Sequence, residues 1–212
     1  MNISIFGASG ATGRLLTERC LAAGYEVAAL VRRPAAFVYA GQVRVVEGSA
    51  FNAEAVRRTV EGADVVLSAL GARSLRREEV LERAVPLIVD AMQQVGVRRI
   101  IALGSAGALS DSLKKQPAWR RRFVQKMVYN TFLKWAVASQ VAQWKTLSAS
   151  GLDWTMVMPP MLLNKPGRGT SRVDGEALPA GASRIARSDV ADFMMAQIGS
   201  EEWVGKGVYI AW

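Results

Sequence analysis

The chain of 212 residues contains no histidine and a single cysteine, Cys20. The absence of histidine excludes Ser-His-Asp triads, Cys-His pairs and His-ligated zinc or iron. One cysteine excludes an intrachain disulfide and a cysteine-rich structural metal site. Cys20 falls on the apolar face of the first expected helix, where an inert, buried thiol is the expectation. No uninterrupted apolar run approaches the roughly 18–20 residues of a membrane-spanning helix. The segment Met1–Phe6 lacks a basic leader followed by an apolar stretch and a cleavage site, and reads as a strand instead of a signal peptide. A soluble, cytoplasmic protein without metal is therefore expected.

What is present is a half-hydrophobic composition and a formal net charge of +9. Such a composition can bury a sizeable core in one large domain. Arginines cluster as Arg32-Arg33, Arg57-Arg58, Arg76-Arg77, Arg98-Arg99 and Arg120-Arg121-Arg122. Positive charge of this kind attracts anionic ligands or nucleic acid. The pairs are scattered and no nucleic-acid recognition motif accompanies them, so most read as solvated surface, and neither a nucleic-acid nor a membrane partner is expected.

Short apolar runs alternate with helical periodicity along the chain. Strands are predicted at 3–6, 26–31, 43–47, 64–67, 98–103, 153–158 and 208–211. Helices are predicted at 12–23, 53–60, 78–95 and 118–149, with a last one running from an N-cap at Ser188 to about Ile198. Pro86 predicts a kink or a late start in the helix at 78–95. In the helix at 118–149, Trp119, Phe123, Met127, Leu133, Val137, Val141 and Trp144 recur at mostly three- and four-residue steps, a stripe that predicts core packing. Strands separated by helices of this length predict an α/β fold with a Rossmann-type, doubly wound parallel sheet, a single domain with small substrate-covering loops. The glycine- and proline-rich stretch 159–181 is long for a plain connection, which favours a ligand-facing loop.

The motif Gly7-Ala8-Ser9-Gly10-Ala11-Thr12-Gly13 follows the first strand directly and opens the first helix. Glycines there permit a sharp turn and a close approach of backbone to a pyrophosphate. The helix N-terminus then presents unpaired N–H groups and a partial positive charge. The second strand ends in Val31-Arg32-Arg33, where an NAD-binding chain usually carries a carboxylate for the ribose. Guanidinium groups there pair with the extra phosphate of NADP, and Arg14 adds a further cation. NADP(H) is accordingly the expected cofactor. Mostly small residues cluster at the other strand ends: Ser49-Ala50, Leu70-Gly71-Ala72-Arg73, Gly104-Ser105 and Pro159-Pro160-Met161. They outline a groove where an open parallel sheet binds ligands.

The stretches GASGATG, AGYEVAALVR, LGAR, SGLDWTMVMPP and SRIARSDVADFM are similar to the atypical short-chain dehydrogenase/reductases of the NmrA-like group, most of all to its flavin- and biliverdin-reducing branch. The similarity runs nearly end to end. It implies cofactor contacts at Gly10, Thr12, Gly13, Arg32, Arg33, Leu70, Gly71, Arg73 and Ser105, and at the Pro159-Pro160 turn near the nicotinamide. Two positions depart from the branch: Ser49 stands for an aspartate and Met161 for a histidine, which weakens tetrapyrrole reduction relative to flavin reduction.

The Tyr-x-x-x-Lys pair of ordinary short-chain dehydrogenases is missing, because Tyr129 is followed four places on by Leu133 and Lys134 is out of register. Alcohol dehydrogenase and sugar-nucleotide epimerase chemistry are disfavoured. Hydride transfer to a flavin needs no such acid, since the charge delocalises over the ring. The expected function is thus NADPH-dependent reduction of a flavin, taken as a substrate, or of another small planar acceptor such as a quinone or tetrapyrrole. Ser105 and Arg73 are the catalytic candidates, and the chain is expected to be a monomer or homodimer. The competing expectation is a non-catalytic NADP(H) sensor that binds a protein partner.

Overall fold

Val- and Ile-rich runs form strands here because β-branched side chains suit a pleated surface covered on both faces. The structure, a computed structural model, describes residues 1–72 and 76–212. In chain order it comprises β1 (Asn2–Phe6), α1 (Ala11–Ala22), β2 (Glu26–Val31), β3 (Arg44–Glu47), α2 (Ala53–Val60), β4 (Val65–Ser68), α3 (Val80–Val95), β5 (Arg99–Leu103), α4 (Ala118–Phe123), α5 (Lys134–Ala149), β6 (Asp153–Met158), β7 (Met161–Leu163), β8 (Arg172–Asp174), β9 (Arg184–Ala186), α6 (Arg187–Ala196) and β10 (Lys206–Ala211).

Eight strands form one sheet in the order β3-β2-β1-β4-β5-β6-β10-β8, and β7 pairs with β9 apart from it. Pairing in the large sheet is parallel except for β8, which runs antiparallel to β10. The chain starts in the middle, winds outward to β3 and returns on the other side of β1 as β4. That reversal opens a crevice beyond the carboxyl ends of β1 and β4.

Side chains alternate across the sheet. Ile3, Ile5, Leu67 and Ile101 pack with Leu16 and Cys20 of α1 and with Val190 and Met194 of α6. Phe6, Val66, Ile100 and Met156 pack on the opposite face with Val56, Ile88, Met92 and Leu147 from α2, α3 and α5. Each fully buried aliphatic side chain contributes about 1.5–3 kcal/mol.

One charged side chain interrupts the first face. Arg99 donates through Nη1 to the Asp153 carbonyl and Thr155 Oγ1, both at 2.8 Å, and through Nη2 to the carbonyls of Gln197 at 2.7 Å and Ser200 at 3.3 Å. It ties β5 and β6 to the carbonyl end of α6, where a cation is favoured. Burial depresses its pKa and the nearby Asp153 opposes that shift.

Three expectations need correction. The predicted helix at 118–149 is not continuous: α4 gives way to a π-helix at Val124–Phe132, and α5 begins only after Leu133 leaves helical geometry. Its stripe divides in consequence. Trp144 packs edge-on against Trp154 with ring centroids 5.0 Å apart, whereas Trp119, Phe123 and Met127 are exposed. The last helix takes Ala186 as its N-cap, one turn position before Arg187, so Ser188 lies inside it and its buried Oγ has no partner. The stretch 159–181 is not merely a loop, since β7 and β8 lie within it. The helix expected at 78–95 spans Val80–Val95 and carries Pro86 in its interior, so the proline does not set its start.

Two outcomes test this packing. Replacing Arg99 by Leu strands the carbonyls it serves and is expected to lower stability by about 2–3 kcal/mol, read from a urea denaturation midpoint. Burial pushes the Cys20 thiol up to about 12, so almost none is thiolate at pH 8. It is expected to resist a disulfide-forming thiol reagent in native protein and to react at once in denaturant.

Candidate functional site

The turn from β1 into α1 assigns each glycine a different physical task. Gly7 adopts φ +79°, and a Cβ there would lie 2.7 Å from the Ala69 carbonyl oxygen at the end of β4. A Cβ on Gly13 would lie 2.1 Å from the Gly7 carbonyl oxygen, so Gly13 lets the helix rest on the loop itself. Gly10 is the N-cap of α1, its amide donating to the Gly7 carbonyl at 2.9 Å. A Cβ there would meet only that carbonyl, at 3.2 Å. No side chain caps α1. The N–H groups of its first turn therefore remain available at the carboxyl end of the central strands, an arrangement suited to a phosphate anion.

A cleft of about 710 Å³ extends from this turn, within the size range of small-molecule sites. Its described lining includes Gly7, Ser9, Gly10, Ala11 and Thr12 from the turn, Arg32 after β2, and Ser49 and Ala50 after β3. Leu70 and Gly71 after β4 and Ser105 after β5 complete the set that the sequence brings together. Ser49 Oγ accepts the Phe51 amide at 3.2 Å, and Asn52 Oδ1 accepts the Ala55 amide at 2.9 Å, capping α2. The loop after β3 is thus held by its own side chains, turned toward the cleft. Ser105 has extended backbone, and its Oγ accepts the Gly107 amide at 3.4 Å, a long bond that fixes the loop more than it occupies the hydroxyl.

Several sequence candidates do not line the cleft among the described residues. Gly13 is buried beneath Gly7. Arg14 is exposed, one residue beyond Gly13 on α1. Arg33 turns into a 3-10 segment, Pro34–Ala36, and is exposed. Pro159 is buried and its carbonyl accepts the Ala106 amide at 2.9 Å, a bond that ties the β6 exit to the β5 exit. Pro160 follows it, half-buried, and Met161 begins β7, exposed and bonded through its amide to the Ser183 carbonyl. Arg73 lies outside the described residues.

Other lining residues were not expected at the cleft from the sequence, where Leu133 and Val137 were assigned to core packing. Phe51 borders the cleft beside Ala50, with the Arg83 guanidinium 4.4 Å from its ring centroid. Its signal was an aromatic set among small residues at a strand exit. Leu133, Ala136, Val137, Ser139 and Gln140 close the cleft from α5 and its approach. Gln143 Nε2 donates to the Leu103 carbonyl at 3.0 Å and Ser139 Oγ to Glu82 at 2.6 Å, so α5 is bonded to both β5 and α3.

Arg187 lines the cleft on the side of α1 and α6. Its Nε donates to Asn164 Oδ1 at 2.7 Å. The loop carrying Asn164 is itself anchored, because the Asp189 carboxylate accepts the amides of Arg168 at 3.0 Å and Gly169 at 3.1 Å and the Trp212 indole N–H at 2.6 Å. Burial pushes the Asp189 pKa up, but these donors outweigh it and hold the group below its ordinary value. From the sequence Arg187 stood one residue before the expected N-cap at Ser188, where nothing marked it as a site residue.

Tyr129 and Lys134 form no acid pair. Tyr129 packs beside Gly107, and burial raises its pKa. Lys134 is exposed, its Nζ 5.0 Å from the Trp135 ring centroid. Among the described residues no helix is long and apolar enough to cross a membrane.

A family model described as NAD(P)H-binding matches residues 7–201. Cinnamoyl-CoA reductase 2 of Arabidopsis thaliana is 23% identical over 183 residues, which are 77% of this chain and 55% of that protein; the chain thus spans about half the length of that relative. Among solved structures, a short-chain dehydrogenase/reductase of Veillonella parvula in complex with NADP superposes with a TM-score of 0.82 at 20% identity, covering 100% of this chain and 94% of that one. An anaerobillin reductase of Escherichia coli gives 0.80 at 21% identity, with 100% and 97% covered. A candidate NADH-flavin reductase of Streptococcus pneumoniae gives 0.80 at 20% identity, with 100% and 99% covered. At these identities the structural likeness is one of fold, whereas the family match spans the glycine turn, every helix and six of the eight strands of the large sheet. The chain belongs to the NAD(P)H-binding family.

Proposed function

We propose that this protein is an NADPH-dependent reductase that passes hydride to a flavin or a similar planar acceptor. The observation that carries this reading is the shape of this cleft: it runs from Arg32 and Phe51, past an uncapped helix N-terminus, to an end flanked by Ser105, Leu133, Ala136 and Val137. When bound, NADPH supplies the hydride. Ser9, Ala11 and Thr12 would hold the pyrophosphate through backbone N–H groups, and Arg32 would pair with the 2′-phosphate. Phe51, Ser49 and Ala50 would border the adenosine. Gly10 lines the cleft, and a Cβ on it would meet only the Gly7 carbonyl, so open space there would admit a phosphate close to the backbone.

At the other end the walls are apolar and narrow in chemistry. Leu133, Ala136 and Val137 exclude water from one face, and Ser105 orients the amide end of the nicotinamide or the acceptor. Neither a Tyr–Lys pair nor a histidine is needed to reduce a flavin, because the ring delocalises the incoming charge and takes its proton from solvent. Stacking the two rings at reacting distance supplies most of the rate. The anaerobillin and NADH-flavin reductases with this fold make a planar conjugated acceptor a consistent choice. The resemblance to the flavin- and biliverdin-reducing branch points the same way.

Following NADPH absorbance in purified protein with FMN or riboflavin tests the proposal. Rapid flavin-dependent oxidation is expected, with NADH a poor donor. Saturable NADPH binding without flavin-dependent turnover would sink the reductase reading and favour a cofactor-sensing protein instead. The variant Arg32→Glu is expected to raise the KM for NADPH about 10–100-fold, the loss of one charge-assisted bond, while changing that for NADH far less. Arg33→Glu, outside the cleft, is expected to change the KM for NADPH much less than Arg32→Glu.

A further inference from the structure

Between Asp111 and Asp153 the chain carries eight lysines and arginines and no aspartate or glutamate. The same stretch holds the largest group of exposed apolar side chains: Trp119 at 73%, Phe123 at 58%, Met127 at 43% and Phe132 at 61%. In an α-helix, nine residues rotate a side chain by about half a turn, which would put Phe123 and Phe132 on opposite sides. The π-helix removes that separation. At about 4.4 residues per turn, nine residues return almost to the starting direction. The Leu133 amide donates five residues back to the Val128 carbonyl at 2.8 Å, and Thr131 Oγ1 does the same to the Lys126 carbonyl at 3.0 Å. Trp119, Phe123, Met127 and Phe132 thereby form one continuous ridge.

The ridge has a defined surrounding. On one side lie Arg120, Val124, Val128, Tyr129 and Leu133, turned toward the protein and half-buried. Arg120 holds that edge down by donating to Gln116 Oε1 and the Ala182 carbonyl, both at 2.8 Å. On the other side Arg122 and Lys126 stand beside Phe123 and Met127, with Arg121 behind them. Among the described residues these three cations have no ionic partner.

We propose that this ridge docks the protein on an anionic membrane surface. A projecting row of Trp, Phe and Met needs a soft apolar phase, and the cations beside it need negative charge at the same depth as the helix axis. The boundary of an anionic bilayer offers both, with indole rings favoured at that level. Juxtaposed Lys and Arg add attraction to acidic headgroups. A second copy of this chain is disfavoured as occupant, because it would set Arg121, Arg122 and Lys126, which have no ionic partner among the described residues, against their like, on molecules of net charge +9. Docking in this orientation brings Leu133, Ala136 and Val137, which line the cleft, next to the lipid surface. The docking stands whether or not the reductase reading holds.

Sedimentation of full-length protein with phosphatidylcholine vesicles, with and without phosphatidylglycerol, tests the inference. Binding to the anionic vesicles is expected to be at least about tenfold tighter and to weaken with salt. The double variant Trp119→Ser/Phe123→Ser and the charge variant Arg122→Glu/Lys126→Glu are each expected to lose about tenfold or more. All four residues are exposed, so an unchanged thermal midpoint confirms that the variants fold. The inference is overturned by equal or absent binding to both vesicle types, or by wild-type binding of the double variant. A lipid-free dimer that the double variant abolishes would assign the ridge to a second copy and overturn it too.

Discussion

The structure depends on how closely α1 can sit against the end of β1. The distance of 2.1 Å from an imagined Gly13 Cβ to the Gly7 carbonyl oxygen leaves no room for any side chain. Because α1 rests directly on the turn, its N-terminus opens at the carboxyl edge of the sheet and not beside it. Gly7 approaches the end of β4 nearly as tightly, which joins the two strands that flank the topological reversal. The crevice, its partial positive charge and its floor are consequences of two backbone contacts that only glycine permits.

Around that floor the two layers of helices are held by polar bonds where apolar packing alone leaves freedom. Arg99 fastens the end of α6 to β5 and β6. Gln143 fastens α5 to β5, and Asp189 gathers the 164–169 loop and the C-terminal Trp212 against α6. These bonds place α5 and Arg187 on opposite sides of the same cleft. Buried polar groups satisfied in this manner specify one arrangement of elements, which general burial does not. The consequence for chemistry is a rigid groove whose walls come from segments far apart in the chain.

The segment from α4 through the π-helix obeys a different constraint. Its aromatic residues repeat as a core helix would, yet they face outward, and the change of helical pitch aligns them. Cationic residues interleave with them throughout, so burial against the sheet would have stranded several charges in a low-dielectric interior. Exposure of the ridge is the lower-energy outcome, and the adjoining α5 keeps the packing role instead, through Trp144 and Leu147.

Much of the fold was legible in the chain itself. Strand runs such as Val65–Ser68, the glycine spacing at 7, 10 and 13, and the absence of a carboxylate after Val31 are local patterns, and local sterics and charge determine what they become. The positions of Arg32, Ser49, Ala50, Leu70 and Ser105 followed, because strand ends in a parallel sheet share one edge. The sequence alone did not determine which neighbours of those residues face the cleft. Arg14, Arg33 and Met161 share the chemistry of residues that line it and point elsewhere, since one residue along a helix or loop rotates a side chain away. Phe51 and Arg187 reach the cleft only through contacts across the fold. The exposure of Trp119 and Phe132 was likewise decided by tertiary structure: hydrophobic periodicity reports that a helix has an apolar face, and only packing decides whether anything covers it.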